Sequence, residues 1–203
     1  MKKVVLLVFA MALLVPAAMA DTFILASYSV SINSSDPGLV LSWSPELPSA
    51  TSFTLNPGQN SGWFNLFDLW TNETTVNADD EALKMISVTL NFSEPFVTSV
   101  TDGMTYGVTI FDGLLQGGLV VWNSPTVVPF GDGGQFSVYF QDASFNGGLF
   151  GLKHGQKHGA DIFAKIKYNA APNPVPEPAT LLLLGGGLAA AGARFRKRGA
   201  PKA

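Results

Sequence analysis

The sequence has no cysteine, and this absence removes several kinds of chemistry at once. The chain can form no disulfide bond, no thiolate metal site and no cysteine nucleophile. Only two histidines are present, His154 and His158, and both lie in the short segment KHGQKHG. The sequence also lacks the G-x-S-x-G motif of many serine hydrolases. We therefore predict that the protein is not an enzyme and that the histidine pair binds no metal.

Positive charge is scarce between the two ends of the chain. Residues 21–172 hold 14 acidic residues and five lysines, which gives a net charge of −9, and all three arginines lie beyond them. Such an acidic body disfavours nucleic acid as a partner. The run Asp79–Asp80–Glu81 and Asp132, in a glycine-rich loop, supply the oxygen ligands that calcium prefers. A structural calcium ion is therefore an open hypothesis, and we predict no other cofactor.

The first 20 residues have the pattern of a secretory signal peptide. Lys2 and Lys3 precede an apolar stretch over residues 4–15, which Pro16 interrupts. Small residues at Ala18 and Ala20 fit a cleavage site, so we expect the mature chain to start at Asp21. The predicted partners of this segment are the Sec translocon and signal peptidase. An uncleaved anchor is the alternative.

A second apolar stretch, residues 179–193, lies near the other end and holds no charge. As a helix it would be about 22 Å long, which is shorter than the roughly 30 Å of a hydrocarbon core. We predict a single transmembrane helix over 179–193, preceded by a proline-rich linker over 169–178. Basic residues favour the cytoplasmic side, which makes residues 194–203 a cytoplasmic tail.

Three features of this tail occur in a fixed order: a Pro-Glu-Pro segment, a glycine-interrupted apolar run and a basic cluster. The residues that carry the pattern are Val175, Pro176, Glu177, Pro178, Arg194, Arg196, Lys197 and Arg198. The arrangement resembles the PEP-CTERM sorting signal of bacterial exported proteins. The resemblance implies an inner-membrane intermediate, recognition by an exosortase, cleavage near Glu177, and transfer to the cell surface or extracellular matrix. A tail that is retained as a plain membrane anchor remains the alternative.

The body between the two signals reads as short strands separated by glycine, asparagine, aspartate and proline. This pattern is typical of an all-β domain, and over residues 21–168 it predicts an antiparallel β-sandwich or jelly roll. A change of phase near residues 26–27 predicts a bulge in the first strand. The predicted strands are 22–32, 38–43, 51–55, 62–70, 83–92, 105–111, 118–123, 134–141 and 160–168.

The tryptophans are the best candidates for ligand contacts in this body. The segment GWFNLFDLW has more large apolar residues than one buried face can hold, so we select Trp63 and Trp70 as exposed binding residues. The leading hypothesis is a surface or matrix structural protein. A carbohydrate-binding module for exopolysaccharide is the second hypothesis, and an envelope hydrolase with two facing carboxylates is the third.

Overall fold

The computed structural model describes residues 20–173 and 183–188. Contacts divide the chain into two compact units, Met1–Pro172 and Asn173–Ala203. Within the described residues, the first unit contains eleven strands and one short 3-10 helix, Gln156–His158. The strands are β1 (Asp21–Ser31), β2 (Leu41–Pro45), β3 (Thr51–Leu55), β4 (Phe64–Thr71), β5 (Lys84–Glu94), β6 (Val97–Ile110), β7 (Leu115–Trp122), β8 (Thr126–Phe130), β9 (Gly134–Phe140), β10 (Ala143–Leu149) and β11 (Ala160–Ala170).

These strands form two sheets. The six-stranded sheet has the order β10-β7-β6-β5-β1-β3, and the five-stranded sheet has the order β2-β4-β11-β9-β8. All the strand pairs described here are antiparallel. The prediction of an all-β body with antiparallel sheets is therefore confirmed.

The hydrophobic core lies between the two sheets. The ring of Phe23 in β1 packs edge-on against Phe136 of β9 and Tyr168 of β11, each with 5.2 Å between ring centroids. Along β5, every second side chain from Ile86 to Phe92 is buried, as expected for a strand with one face inward. Burial of each large apolar side chain contributes about 1.5–3 kcal/mol, so packing alone can hold a domain without disulfides.

Most of the predicted strands correspond to observed ones, and the predicted bulge is present. The register of β1 against β5 shifts twice, between Ile24 and Leu25 and between Leu25 and Ser27. Two strands were not predicted, β8 and β10. Residues 77–82 form a pair of hydrogen-bonded turns, in which Asp80 N donates to Asn77 O and Ala82 N donates to Asp79 O.

The predicted signal segments lie mainly outside the described residues. Of the cleavage residues, Ala18 is outside them, Ala20 is exposed, and Asp21 is the first residue of β1. Residues 183–188 are helical. No helix in the described part of the chain is long and apolar enough to cross a membrane. Residues 179–182 and 189–193 of the predicted transmembrane helix lie outside the described part.

Candidate functional sites

Trp63 is the exposed aromatic side chain that the sequence predicted, and 46% of it is accessible to solvent. It lies just before β4, and the Lys165 ammonium of the neighbouring strand β11 sits 4.5 Å from the centre of its ring. The same ammonium lies 4.8 Å from the ring of Tyr139 on β9. Trp63, Lys165 and Tyr139 thus form an aromatic–lysine surface on the five-stranded sheet, held by cation–π attraction.

Trp70 does not join this surface. It is half-buried near the end of β4, where its Cβ is close to Gly159. The other two tryptophans contribute mainly to packing. Trp122 is buried and stacks on Phe140 with 4.7 Å between ring centroids, while Trp43 packs edge-on against Phe67.

The side chains of the acidic run Asp79–Asp80–Glu81 have three different environments. Asp79 Oδ2 accepts a hydrogen bond from Gly38 N at 3.0 Å, and Glu81 Oε1 accepts one from the Thr109 hydroxyl at 2.7 Å. Asp80 instead turns inward and is fully buried. Asp132 is exposed in the turn between β8 and β9. The four acids selected from the sequence therefore do not form one site.

Asp80 belongs to a different cluster, with Asp36 and Glu73. One carboxylate oxygen from each of the three residues lies within 4.8 Å of the others. Burial raises the pKa of Glu73, a hydrogen bond from Val40 N opposes that rise, and the charges of Asp80 and Asp36 add to it. Sequence reasoning missed Asp36 and Glu73 because they come from separate loops, and the only local signal was the turn around Pro37.

Two further carboxylates face each other on the five-stranded sheet. Asp68 of β4 and Asp161 of β11 are directly paired in the strand register. Burial raises the pKa of Asp161, and contact with the Asp68 side chain within hydrogen-bonding reach adds to it. Directly opposed residues of an antiparallel pair have Cβ atoms about 4.5–5.5 Å apart, so the two carboxylates are close neighbours on this face of the sheet.

The histidine loop is a solvent-facing segment. His154 is exposed and His158 is half-buried at the end of the 3-10 helix. Partial burial lowers the pKa of His158, and the positive charges of Lys157 and Lys153 lower it further. Such surroundings favour a neutral imidazole.

The sorting-signal residues Val175–Pro178 and Arg194–Arg198 lie outside the described residues. Their role is therefore inferred from the sequence alone. A family model described as the PEP-CTERM protein-sorting motif matches residues 174–197. The chain carries a PEP-CTERM sorting motif. This motif implies an exported protein that an exosortase processes at the membrane, followed by a surface or extracellular location. No curated protein and no solved structure matches the chain.

Proposed function

We propose that the protein is a non-catalytic structural component of the cell surface or extracellular matrix. The PEP-CTERM motif at residues 174–197 is the observation that carries this proposal. The signal peptide predicted over residues 1–20 would direct the chain to the Sec translocon, and signal peptidase would release Asp21 as the first mature residue. The β body would then be the part that works outside the inner membrane.

An exposed apolar cluster on the body supports a role in assembly. The turn between β6 and β7 and the end of β10 are joined by a hydrogen bond from Phe150 N to Leu114 O, 2.8 Å long. Large apolar side chains project from both segments, and 73% of Phe111 and 80% of Phe150 are exposed. Contiguous apolar patches on soluble proteins usually mark contacts with other molecules. The residues of this exposed apolar cluster are Ile110, Phe111, Leu114, Leu115, Leu149 and Phe150.

We further propose that the tail is removed when the protein reaches the surface. The test compares the parent with Glu177→Ala in the native host, using terminal-peptide mass spectrometry on surface and membrane fractions. We expect the parent body at the surface to lack peptides from 188–203, and Glu177→Ala to stay in the membrane fraction. An Asp132→Asn variant, changed at an exposed turn, controls for export defects and should behave as the parent.

Peptides from 188–203 joined to the surface-exposed parent body would refute removal of the tail and leave a retained anchor. Recovery of the parent in the cytoplasm would refute export altogether. The Glu177→Ala substitution should leave the fold of the body unchanged, because residue 177 follows β11, which ends at Ala170.

A carbohydrate-binding function is the second candidate, and the aromatic–lysine surface is the observation that favours it. A flat, exposed indole ring can stack on a sugar ring, and the Lys165 ammonium can donate hydrogen bonds to hydroxyl groups. One face of Trp63 already contacts Lys165, so a sugar would use the other face or displace the ammonium.

Its test is retention of the full chain on the host's exopolysaccharide. Trp63→Ala should lose retention, whereas Phe96→Ala removes an aromatic ring that is 93% exposed between β5 and β6 and should keep it. Equal retention of both variants would exclude Trp63 as the binding residue. No retention of the parent would remove this candidate for the polysaccharide tested.

A further inference from the structure

The Asp36, Glu73 and Asp80 cluster lies where loops from both sheets meet. Asp36 is in the connection between β1 and β2, while Glu73 and Asp80 are in the connection between β4 and β5. Each connection passes from one sheet to the other. A group that bound all three carboxylates would tie these two connections together at one end of the molecule.

Asp80 has one carboxylate oxygen that is buried without a hydrogen-bond partner among the described residues. The residue is fully buried, and its Oδ2 accepts a hydrogen bond from Asn77 N at 2.8 Å. Its Oδ1 is also buried, and no hydrogen-bond donor in the described part of the chain reaches it. A buried carboxylate oxygen without a partner is costly unless a cation or a proton neutralises it.

The three carboxylates differ in solvent exposure, from the buried Asp80 through Glu73 to Asp36. Glu73 is half-buried, and Val40 N donates to its Oε1 at 2.7 Å, which fixes the side chain and leaves Oε2 to bind a ligand. Asp36 is exposed at the outer side. The cluster adjoins an open cavity of about 470 Å³ whose lining includes Asp36, Asn72, Glu73 and Thr74. Water could therefore enter and occupy the remaining ligand positions of an ion.

The spacing and the ligand type suit calcium. Calcium–oxygen distances are about 2.3–2.6 Å, so two oxygens on opposite sides of one ion are about 4.6–5.2 Å apart. The 4.8 Å limit on the three oxygens places all of them within reach of a single ion. Irregular loops with carboxylates at different depths tolerate the variable geometry of calcium, whereas magnesium demands a near-ideal octahedron. Histidine and cysteine, the usual zinc ligands, are not part of the cluster.

We propose that Asp36, Glu73 and Asp80 bind one Ca²⁺ ion, which holds the β1–β2 and β4–β5 connections together. This inference is independent of the proposed function, because the ion would act on the fold of the body and not on its sorting.

The test is thermal unfolding of the purified full chain, followed by near-ultraviolet circular dichroism, in EDTA, in millimolar CaCl2 and in millimolar MgCl2. Binding to the native state alone should raise the Tm of the parent by roughly 5–10 °C once Ca²⁺ exceeds its Kd about a hundredfold. We expect a much smaller rise in MgCl2. Calorimetric titration with CaCl2 should give one site per chain.

Variants separate an ion site from a purely structural acid cluster. Asp80→Asn and Asp36→Asn should lose most of the Ca²⁺-dependent rise, and Asp132→Asn, an exposed acid elsewhere, should keep it. In EDTA, Asp80→Asn should melt at or above the parent temperature, because the substitution removes an unpaired buried charge while keeping an acceptor for Asn77 N. Asp36 is exposed, so its variant remains informative if Asp80→Asn does not fold.

The proposal fails if CaCl2 leaves the parent Tm unchanged, or if both site variants keep the full rise. It also fails if Asp80→Asn lowers the Tm equally in EDTA and in CaCl2, which would mean that the acid serves packing alone. A Tm that responds to pH but not to CaCl2 would assign the neutralising group as a shared proton.

Discussion

Asn146 is a fully buried side chain that joins two separate segments of the body. Its Oδ1 accepts a hydrogen bond from Thr71 N at 2.9 Å, and its Nδ2 donates to the carbonyls of Lys153 and Gly155. Its φ of 54° lies in the left-handed region, which asparagine tolerates better than most residues. One side chain thus fixes both the end of β4 and the start of the histidine loop.

We expect Asn146→Gly to lower the free energy of unfolding by about 2–4 kcal/mol, because three backbone groups lose their buried partner. Glycine keeps the positive φ, so the loss reports the hydrogen bonds and not backbone strain. The measurement is urea unfolding of the full chain. Asn123→Gly, at an exposed position, is the control and should cost less than about 1 kcal/mol. Equal losses in the two variants would contradict the role given to Asn146.

The cluster of Asp36, Glu73 and Asp80 shows which residues of a site can be predicted from the sequence. The acidic run did point to Asp80, which the structure buries. It could not point to Asp36 or Glu73, because the cluster arises only when the β1–β2 and β4–β5 connections meet. The excess of apolar residues in one segment selected both Trp63 and Trp70. The structure leaves Trp63 exposed and half-buries Trp70.

The strand β7 depends on a glycine at its centre. Gly118 is paired in the register with Phe145 of β10, and the Phe145 ring lies against it. A Cβ added to Gly118 would stand 2.2 Å from the Cε2 atom of that ring, which is closer than any real contact. The absent side chain is therefore what allows Phe145 to be buried.

Gly118→Ala should reduce the free energy of unfolding by about 1–3 kcal/mol, because the added methyl group forces the Phe145 ring to move. Gly117→Ala is a matched control on the adjacent residue, where the nearest atoms to an added Cβ are 3.7 Å away. We expect that control to be neutral or slightly stabilising. Urea unfolding measures both, and a Gly117 variant as unstable as the Gly118 variant would contradict the ring-packing argument.

Glycine and proline also explain which strands the sequence predicted and which it did not. Glycine often marks a turn, yet β7 runs through Gly118 and β6 runs through Gly103. The rings of Phe145 and Trp122 lie where side chains at these two positions would stand. β10 was not predicted because its segment Asn146–Gly147–Gly148, where the register shifts, has the composition of a turn. β8 was not predicted because it contains Pro129, which disfavours a strand. Proline is tolerated there because β8 is an edge strand. Strands with regular alternation, such as β5, were predicted nearly in full.

At the scale of the whole molecule, the last strand lies inside its sheet. β11 pairs with β4 on one side and with β9 on the other. Its buried side chains, Ile162, Ala164, Ile166 and Tyr168, belong to the hydrophobic core. The five-stranded sheet is therefore incomplete in any chain that ends before Ala160.

We expect a chain of residues 21–172 to fold alone and a chain of residues 21–159 to remain unfolded. The first retains both sheets, whereas the second leaves β4 and β9 unpaired and opens the core. Far-ultraviolet circular dichroism should show β structure for the first and not for the second. A random-coil spectrum for residues 21–172 would contradict the prediction of an autonomous body, and a β spectrum with cooperative melting for residues 21–159 would contradict the role of β11.

The central position of β11 also has a consequence for timing. An exported chain that crosses the membrane from its N-terminus delivers β4 and β9 before the strand that joins them. Until β11 emerges, both strands have open hydrogen-bonding edges, and long-range pairing of this kind is slow to form. The sorting motif begins at residue 174, four residues after β11 ends at Ala170. In such a chain, the strand that completes the five-stranded sheet and the sorting motif cross the membrane one directly after the other, so the sheet can close only shortly before the motif reaches the membrane.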